Sequence, residues 1–261
     1  MILFKRLGES FRHIEDREWV LLALETLGVL VGILIAFELQ EWASNRSEDR
    51  RHRQIMERLF EESEQDVAVV RDLRDTMHSI TTRESAFATA LTHGTCPPAS
   101  QWEAVETTGM YPSFKAPRSV YEELMGAGGL STIRELRVRE AVAQFNLALD
   151  WSQSQNEFFR SKATDVIPIE DPRLSVTYNA GAKDLLVATY DRAALCSDRA
   201  FRNQMASAAR NHLVIASLHE SVTQQAIAMC GALARSLSHQ CVPASGGPLS
   251  SEDAANLASR P

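Results

Sequence analysis

Residues 20–37 read VLLALETLGVLVGILIAF, 18 residues that carry a single charge, Glu25. An α-helix rises 1.5 Å per residue, so roughly 20 residues cross a hydrocarbon core of about 30 Å. Twelve of the 18 are Leu, Ile, Val or Phe. At about −0.3 to −0.6 kcal/mol each on an insertion scale, they contribute roughly −5 kcal/mol. A Glu at the centre of a span costs up to about 3 kcal/mol, and Glu25 is off-centre. The balance favours insertion. Trp19 and Trp42 bracket the stretch. On a helix their indoles would stand about 34 Å apart, one at each membrane interface. A cleaved signal peptide is disfavoured, because Ala36-Phe37-Glu38-Leu39-Gln40 offers no convincing small-residue cleavage site. A buried helix of a soluble domain would carry a polar stripe, and this segment has almost none.

Gly28, Gly32 and Ala36 recur every fourth residue and share one helix face. Small residues let helix backbones approach closely in lipid. Glu25, three residues before Gly28, lies on the same face. The expectation is a helix-packing surface made of Glu25, Gly28, Gly32 and Ala36. Chance glycine usage with a snorkelling Glu is the competing reading, and ion coupling through Glu25 is the least favoured.

Outward from the span, residues 1–18 place Phe4, Leu7, Phe11 and Ile14 at amphipathic spacing, as in a short helix at a membrane surface. Beyond it, 43–240 reads as a helical extramembrane domain. Ile55, Leu59, Val67, Val70, Leu73, Met77 and Ile80 predict an amphipathic helix that ends before Gly94 and Pro97-Pro98. Residues 94–117 read as a loop and Ser119–Met125 as one or two helical turns. A helix is expected from Leu130 to about Ala163, and a short one over 182–195. A last helix of about 40 residues follows an N-cap at Ser197, with Asp198 in its first turn. Phe201, Met205, Ala208, Leu213, Ile215, Leu218, Val222, Ile227, Met229 and Leu233 would form its apolar side. Leu174–Tyr178 is the one stretch with any strand character. The tail, 241–261, is small and polar and reads as disordered.

The four cysteines suit disulfides in an oxidising compartment, with four free thiols in a cytosolic domain as the alternative. Four cysteines allow three complete pairings. If the last helix is straight, Cys196 and Cys230 stand about 50 Å apart, and Cys196 and Cys241 are separated similarly. A bridge needs Cα atoms within about 7 Å. Cys96–Cys196 with Cys230–Cys241 is the only full set left, and it sends the last helix back antiparallel to the first. A Cys96–Cys241 bridge with Cys196 free is the rival. Four basic residues precede the span (Lys5, Arg6, Arg12, Arg17) and five follow it closely (Arg46, Arg50, Arg51, Arg53, Arg58), so charge alone does not orient it. The cysteines favour an external C-terminal domain.

Net charge is −7, with Lys+Arg 27 against Asp+Glu 34, which argues against a nucleic-acid partner. Mean hydropathy of −0.19 excludes a polytopic transporter. Only 12 Gly and 9 Pro in 261 residues imply few turns and long helices. No motif names a reaction. The stretch GAGGLST lacks the Gly-Lys-Ser/Thr end of a phosphate loop. His212 and His219 are about 10 Å apart along a helix, too far to share a metal ion easily. Glu122-Glu123 point in different directions and read as solvated. No catalytic residue, metal or cofactor is expected.

The segment LETLGVLVGILIAFELQEW resembles the Glu-led span of an uncharacterised family of bacterial single-pass membrane proteins, classed as a domain of unknown function, with the pattern G-E-I-x-L-x-x-I-G-I-L-I-A-x-Q-I-x-x-W. Glu25, Gly32, Ala36 and Trp42 fall on its positions. SVYEELMGAGGLSTIRELRVREAVAQFN is similar to the family's middle segment, and Phe201-Arg202-Asn203 to its third. Leu24, Phe37-Glu38 and Glu41 depart from the pattern. The resemblance implies topology and fold, and no activity.

The expected fold is all-α: a single N-terminal transmembrane helix continuing into an elongated extramembrane helical bundle. The expected role is that of a membrane-anchored structural or interaction protein in the inner membrane, in contact with the lipid bilayer and with a second copy or a membrane protein partner. The alternative is a sensory or accessory subunit of a membrane complex.

Overall fold

The computed structural model describes residues 16–181 and 185–243. The expectations for most of residues 1–18 and for the tail beyond 243 lie outside the described residues, as does the side chain of Trp19. The fold is 74% helical, a long N-terminal helix followed by a helical domain with one small sheet. The elements are α1 (Asp16–Thr92), a 3-10 turn (Ala99–Gln101), α2 (Glu103–Glu106), α3 (Ser119–Gly126), a 3-10 turn (Gly129–Thr132), α4 (Leu136–Lys162), β1 (Leu174–Tyr178), β2 (Leu186–Tyr190), α5 (Arg192–Ser197) and α6 (Arg199–Leu237). The chain divides into two units, Met1–Gln54 and Ile55–Pro261.

In the second unit, three helices carry an alternating three-four repeat, the spacing that keeps one seam facing its neighbours. On α6 it runs Phe201, Met205, Ala208, His212, Ile215, His219, Val222, Ala226, Met229, Leu233, all buried. On α4 it runs Val138, Val142, Phe145, Leu149, Ser152, Asn156, also buried. On α1 the buried positions include Met56, Leu59, Ser63, Asp66, Val70, Met77, Ile80, Glu84, Phe87 and Leu91. Helix α6 runs antiparallel to α1: His239 meets Glu57, Thr223 meets Val70, and His212 meets Glu84. It is antiparallel to α4 as well, since Ser236 bonds Glu135 while Ile215 packs near Phe159.

The segment 94–118 is more than a loop. It descends beside α1 and fills the gap that three helices leave. Trp102, Tyr111 and Phe114 are buried along it. Trp102 stacks parallel to Phe201 at 5.8 Å and edge-on to Phe87 at 5.3 Å. Where the segment arrives, Glu62 of α1 accepts from Ser119 Oγ (2.9 Å), Val120 N (2.9 Å) and Tyr121 N (3.2 Å). It caps α3 from another helix, in place of Arg118, whose side chain makes no cap bond.

Other expectations are corrected locally. The helix expected from Leu130 begins at Leu136. Gly128 and Gly129 take φ of 122° and 74°, and Ile133 is extended to bury its side chain. Residues 182–184 of the helix expected over 182–195 lie outside the described residues, and the rest is β2 followed by the start of α5. The run Leu-Val-Ala-Thr-Tyr is rich in residues that fit a pleated surface and pairs antiparallel with β1. Asp198, not Ser197, caps α6, accepting from Ala200 N at 2.7 Å. Leu213 is 52% exposed and Leu218 only partly buried, because the seam passes through His212 and His219 instead.

Cys96 is bonded to Cys196 (Cα–Cα 5.5 Å) and Cys230 to Cys241 (5.7 Å). The second bridge is set up by Ser238, which ends α6 in the left-handed conformation (φ 59°) while His239 N bonds Ala234 O. That reversal returns Cys241 to the helix it has just left.

Candidate functional site

Among the described residues, the first unit presents a helix whose apolar side chains are exposed. An 18-residue window has a mean hydropathy of 1.4, and none of it is buried. Among the described residues it is the one helix long and apolar enough to cross a membrane. Leu24, Leu27, Leu30, Ile33, Leu34 and Phe37 are each about half to two-thirds exposed. At 100° per residue these lie on one half of the helix circumference, and Leu21, Val29 and Ile35, also more than half exposed, lie on the other. Glu25 and Ala36 are exposed among them, and a Cβ built on Gly28 or Gly32 meets nothing within 4 Å. The face holds the four residues that the sequence groups, with open space beside both glycines. At the end of the stretch the Arg46 guanidinium lies 5.3 Å from the Trp42 ring centroid. A cation over an amphipathic indole suits a boundary between apolar and aqueous surroundings.

The second unit hides a line of polar side chains inside its helical seam. Glu84 and His212 are fully buried, with Glu84 Oε2 2.6 Å from His212 Nδ1. The other carboxylate oxygen accepts from Thr107 Oγ1 at 2.8 Å. The His212 ring meets Tyr111 edge-on at 4.6 Å. One level down the bundle, His219 lies against Phe114 at 4.4 Å. Neither of its ring nitrogens has a hydrogen-bond partner among the described residues. Burial holds its pKa down at about 4. Near Glu62, burial pushes the Asp66 carboxyl up to about 8; the Glu62 charge adds to the rise and Arg118 opposes it. Asn156 Nδ2 donates to Pro112 O at 2.6 Å, pinning α4 to the descending segment.

The buried polar groups of this seam lie between the helices and the segment 94–118. They face aromatic rings and helix backbone, and serve to fix helix register and the course of 94–118. Among the described residues, no three His, Cys, Asp or Glu side chains converge as metal ligands would. Glu123, read as solvated, is half exposed and pairs with Arg58 at 2.7 Å. Glu84, Asp66 and Glu62 are the polar groups that sequence reading passed over. The available signal for Glu84 and Asp66 was their position on the three-four repeat of α1, and Glu62 lies beside that repeat.

Compared with known proteins, the chain matches no family model, no curated protein and no solved structure.

Proposed function

We propose that this chain is a membrane-anchored structural or interaction protein. Residues 20–37 cross the inner membrane once, and the helical domain lies on the periplasmic side. The observation that carries this reading is the apolar helix left uncovered on all sides. On the insertion scale this stretch gains roughly 5 kcal/mol on entering lipid, above the cost of Glu25. The other unit buries its own cores and needs no such environment. The paired cysteines support an oxidising compartment for the domain. The open face at Gly28 and Gly32 supports association with a second copy or with the helix of a membrane partner. Leu147, Trp151 and Phe158, each more than half exposed along one side of α4, support contacts made outside the membrane. The resemblance to bacterial single-pass proteins agrees with the same topology. Fusion of alkaline phosphatase, which is active only when exported, to the C-terminus tests the orientation. An active fusion is expected, and an inactive one of equal abundance contradicts the periplasmic placement.

A further inference from the structure

The β1–β2 ribbon is an unusual feature in a helical domain, and most of it stays exposed. Leu174 pairs with Tyr190, Val176 with Ala188, and Tyr178 with Leu186. Side chains alternate along a strand, so these six share one face. Among the described residues the sheet has two strands, each with one edge that pairs with no other strand. Leu174 and Tyr190 reach a core cluster. Farther along, Val176 is 38% and Leu186 59% exposed, and neighbouring Ile169 is 69% exposed. A groove of about 450 Å³ runs along this face, and the ionisable groups at its wall besides Tyr190 are two carboxylates, Glu106 and Asp165. Glu106 also bonds the Tyr190 hydroxyl, which fixes it at the groove. The ribbon's base is held by Arg173, which bridges Asp171 at 2.6 Å and Asp198 at 2.7 Å. Cys196, bridged to Cys96, lies just before Asp198 in sequence and packs on the same core.

We infer that this groove takes an extended segment of another protein that presents apolar and basic residues on the same face. Its apolar side chains enter the trough, its Lys or Arg side chains reach Asp165 and Glu106, and its backbone pairs with a free ribbon edge. Strand addition of this kind draws affinity from main-chain bonds and specificity from alternate side chains. Charge decides the occupant. A second copy of this chain carries a net charge of −7 and offers no basic excess to these carboxylates, whereas a basic segment neutralises them.

The test uses the full chain in nanodiscs of neutral phosphatidylcholine, titrated with a fluorescein-labelled peptide of repeating Val-Ser-Lys-Ser, the Val-Lys peptide, which puts Val and Lys on one face of a strand. Val-Glu and Ser-Lys peptides of equal length serve as probes of charge and apolarity. The Val-Lys peptide is expected to bind about tenfold tighter than either. Asp165→Asn should weaken it about threefold and Ile169→Ser about tenfold. Both positions lie outside the strands, and circular dichroism verifies that each variant folds. Equal binding of the Val-Lys and Ser-Lys peptides, or no effect of either variant, overturns the inference. So does self-association that Leu186→Ser abolishes, which would assign the groove to a second copy. Failure of the membrane reading shows separately, as chain that does not co-purify with the discs. The same titration is then run on the free chain, with the same expected and contradicting results.

Discussion

Glu84 Oε2 lies 2.6 Å from His212 Nδ1, and neither side chain has any exposed surface. The two residues sit on antiparallel helices and are 128 positions apart in sequence. Their bond, with Thr107 as third member, sets the register of α1, α6 and the descending segment at one level. Removing one partner of a buried hydrogen-bonded pair leaves the other unsatisfied, a loss of about 1–3 kcal/mol. His212→Leu should therefore lower stability by that order in denaturant titrations. Glu84→Leu combined with His212→Leu should recover a large part of it. A double variant no better than the single one would show that the pair does not act as a unit.

Two other buried groups give opposite pH dependences. The His219 pKa is depressed to about 4 from 6.5, so its stabilising contribution is present above 6.5 and is lost as pH falls towards 4. The loss is on the order of 3 kcal/mol. Asp66 is raised to about 8 from 3.8, so its contribution is present below about pH 4 and is lost as pH rises towards 8. His219→Leu should flatten the acid side of the stability profile. Asp66→Asn should change little at pH 4 and should stabilise the chain by several kcal/mol at pH 8, on the order of one kcal/mol or more per pH unit. Denaturation midpoints across pH check both signs, and an Asp66→Asn variant that is less stable at pH 8 contradicts this account.

Glu62 satisfies two backbone N–H groups and one hydroxyl at the start of α3. Its replacement by Ala should cost about 2–4 kcal/mol, more than an ordinary N-cap loss, because several buried donors are left unpaired. Hydrogen exchange should then rise first at Val120 and Tyr121. Unchanged protection there would show that the cap is dispensable.

The two disulfides close loops of very different length, with sequence separations of 100 and 11. Chain-entropy reasoning assigns about 4–5 kcal/mol to the longer loop and about 2–3 kcal/mol to the shorter. Cys196→Ser should accordingly destabilise more than Cys241→Ser. Non-reducing peptide mapping should yield Cys96–Cys196 and Cys230–Cys241 peptides. A Cys96–Cys241 peptide contradicts the antiparallel arrangement of α1 and α6.

Long-period features were legible in the sequence. The apolar run, the helix over 55–92 and the last helix follow from spacing, and the disulfide set follows from the length of that last helix. What escaped was decided between distant residues. Ser63, Asp66 and Glu84 interrupt the apolar repeat of α1, yet they occupy seam positions because partners on other elements satisfy or surround them. His212 and His219 look like surface residues until the seven-residue spacing is set on the seam of α6. The segment 94–118 has no regular periodicity, and its burial depends on the rings of Trp102, Tyr111 and Phe114 entering gaps that only the assembled helices create. The second strand failed for a related reason, since Leu186–Tyr190 is specified by its pairing with Leu174–Tyr178 more than by its own composition.

Open space beside Gly28 and Gly32 leads to a prediction about association. Gly32→Ile should weaken pairing of the span in a membrane-helix reporter assay by about 1–2 kcal/mol. An unchanged signal would return the small residues to chance.

The central claim, that residues 20–37 hold the chain in a membrane, is tested most directly by fractionating cells that express the full-length protein and washing the membranes at alkaline pH. The account predicts that chain of undiminished length, still beginning at its own N-terminus, stays in the washed pellet. Full-length chain in the soluble fraction, or a product cleaved after residue 37, would contradict it.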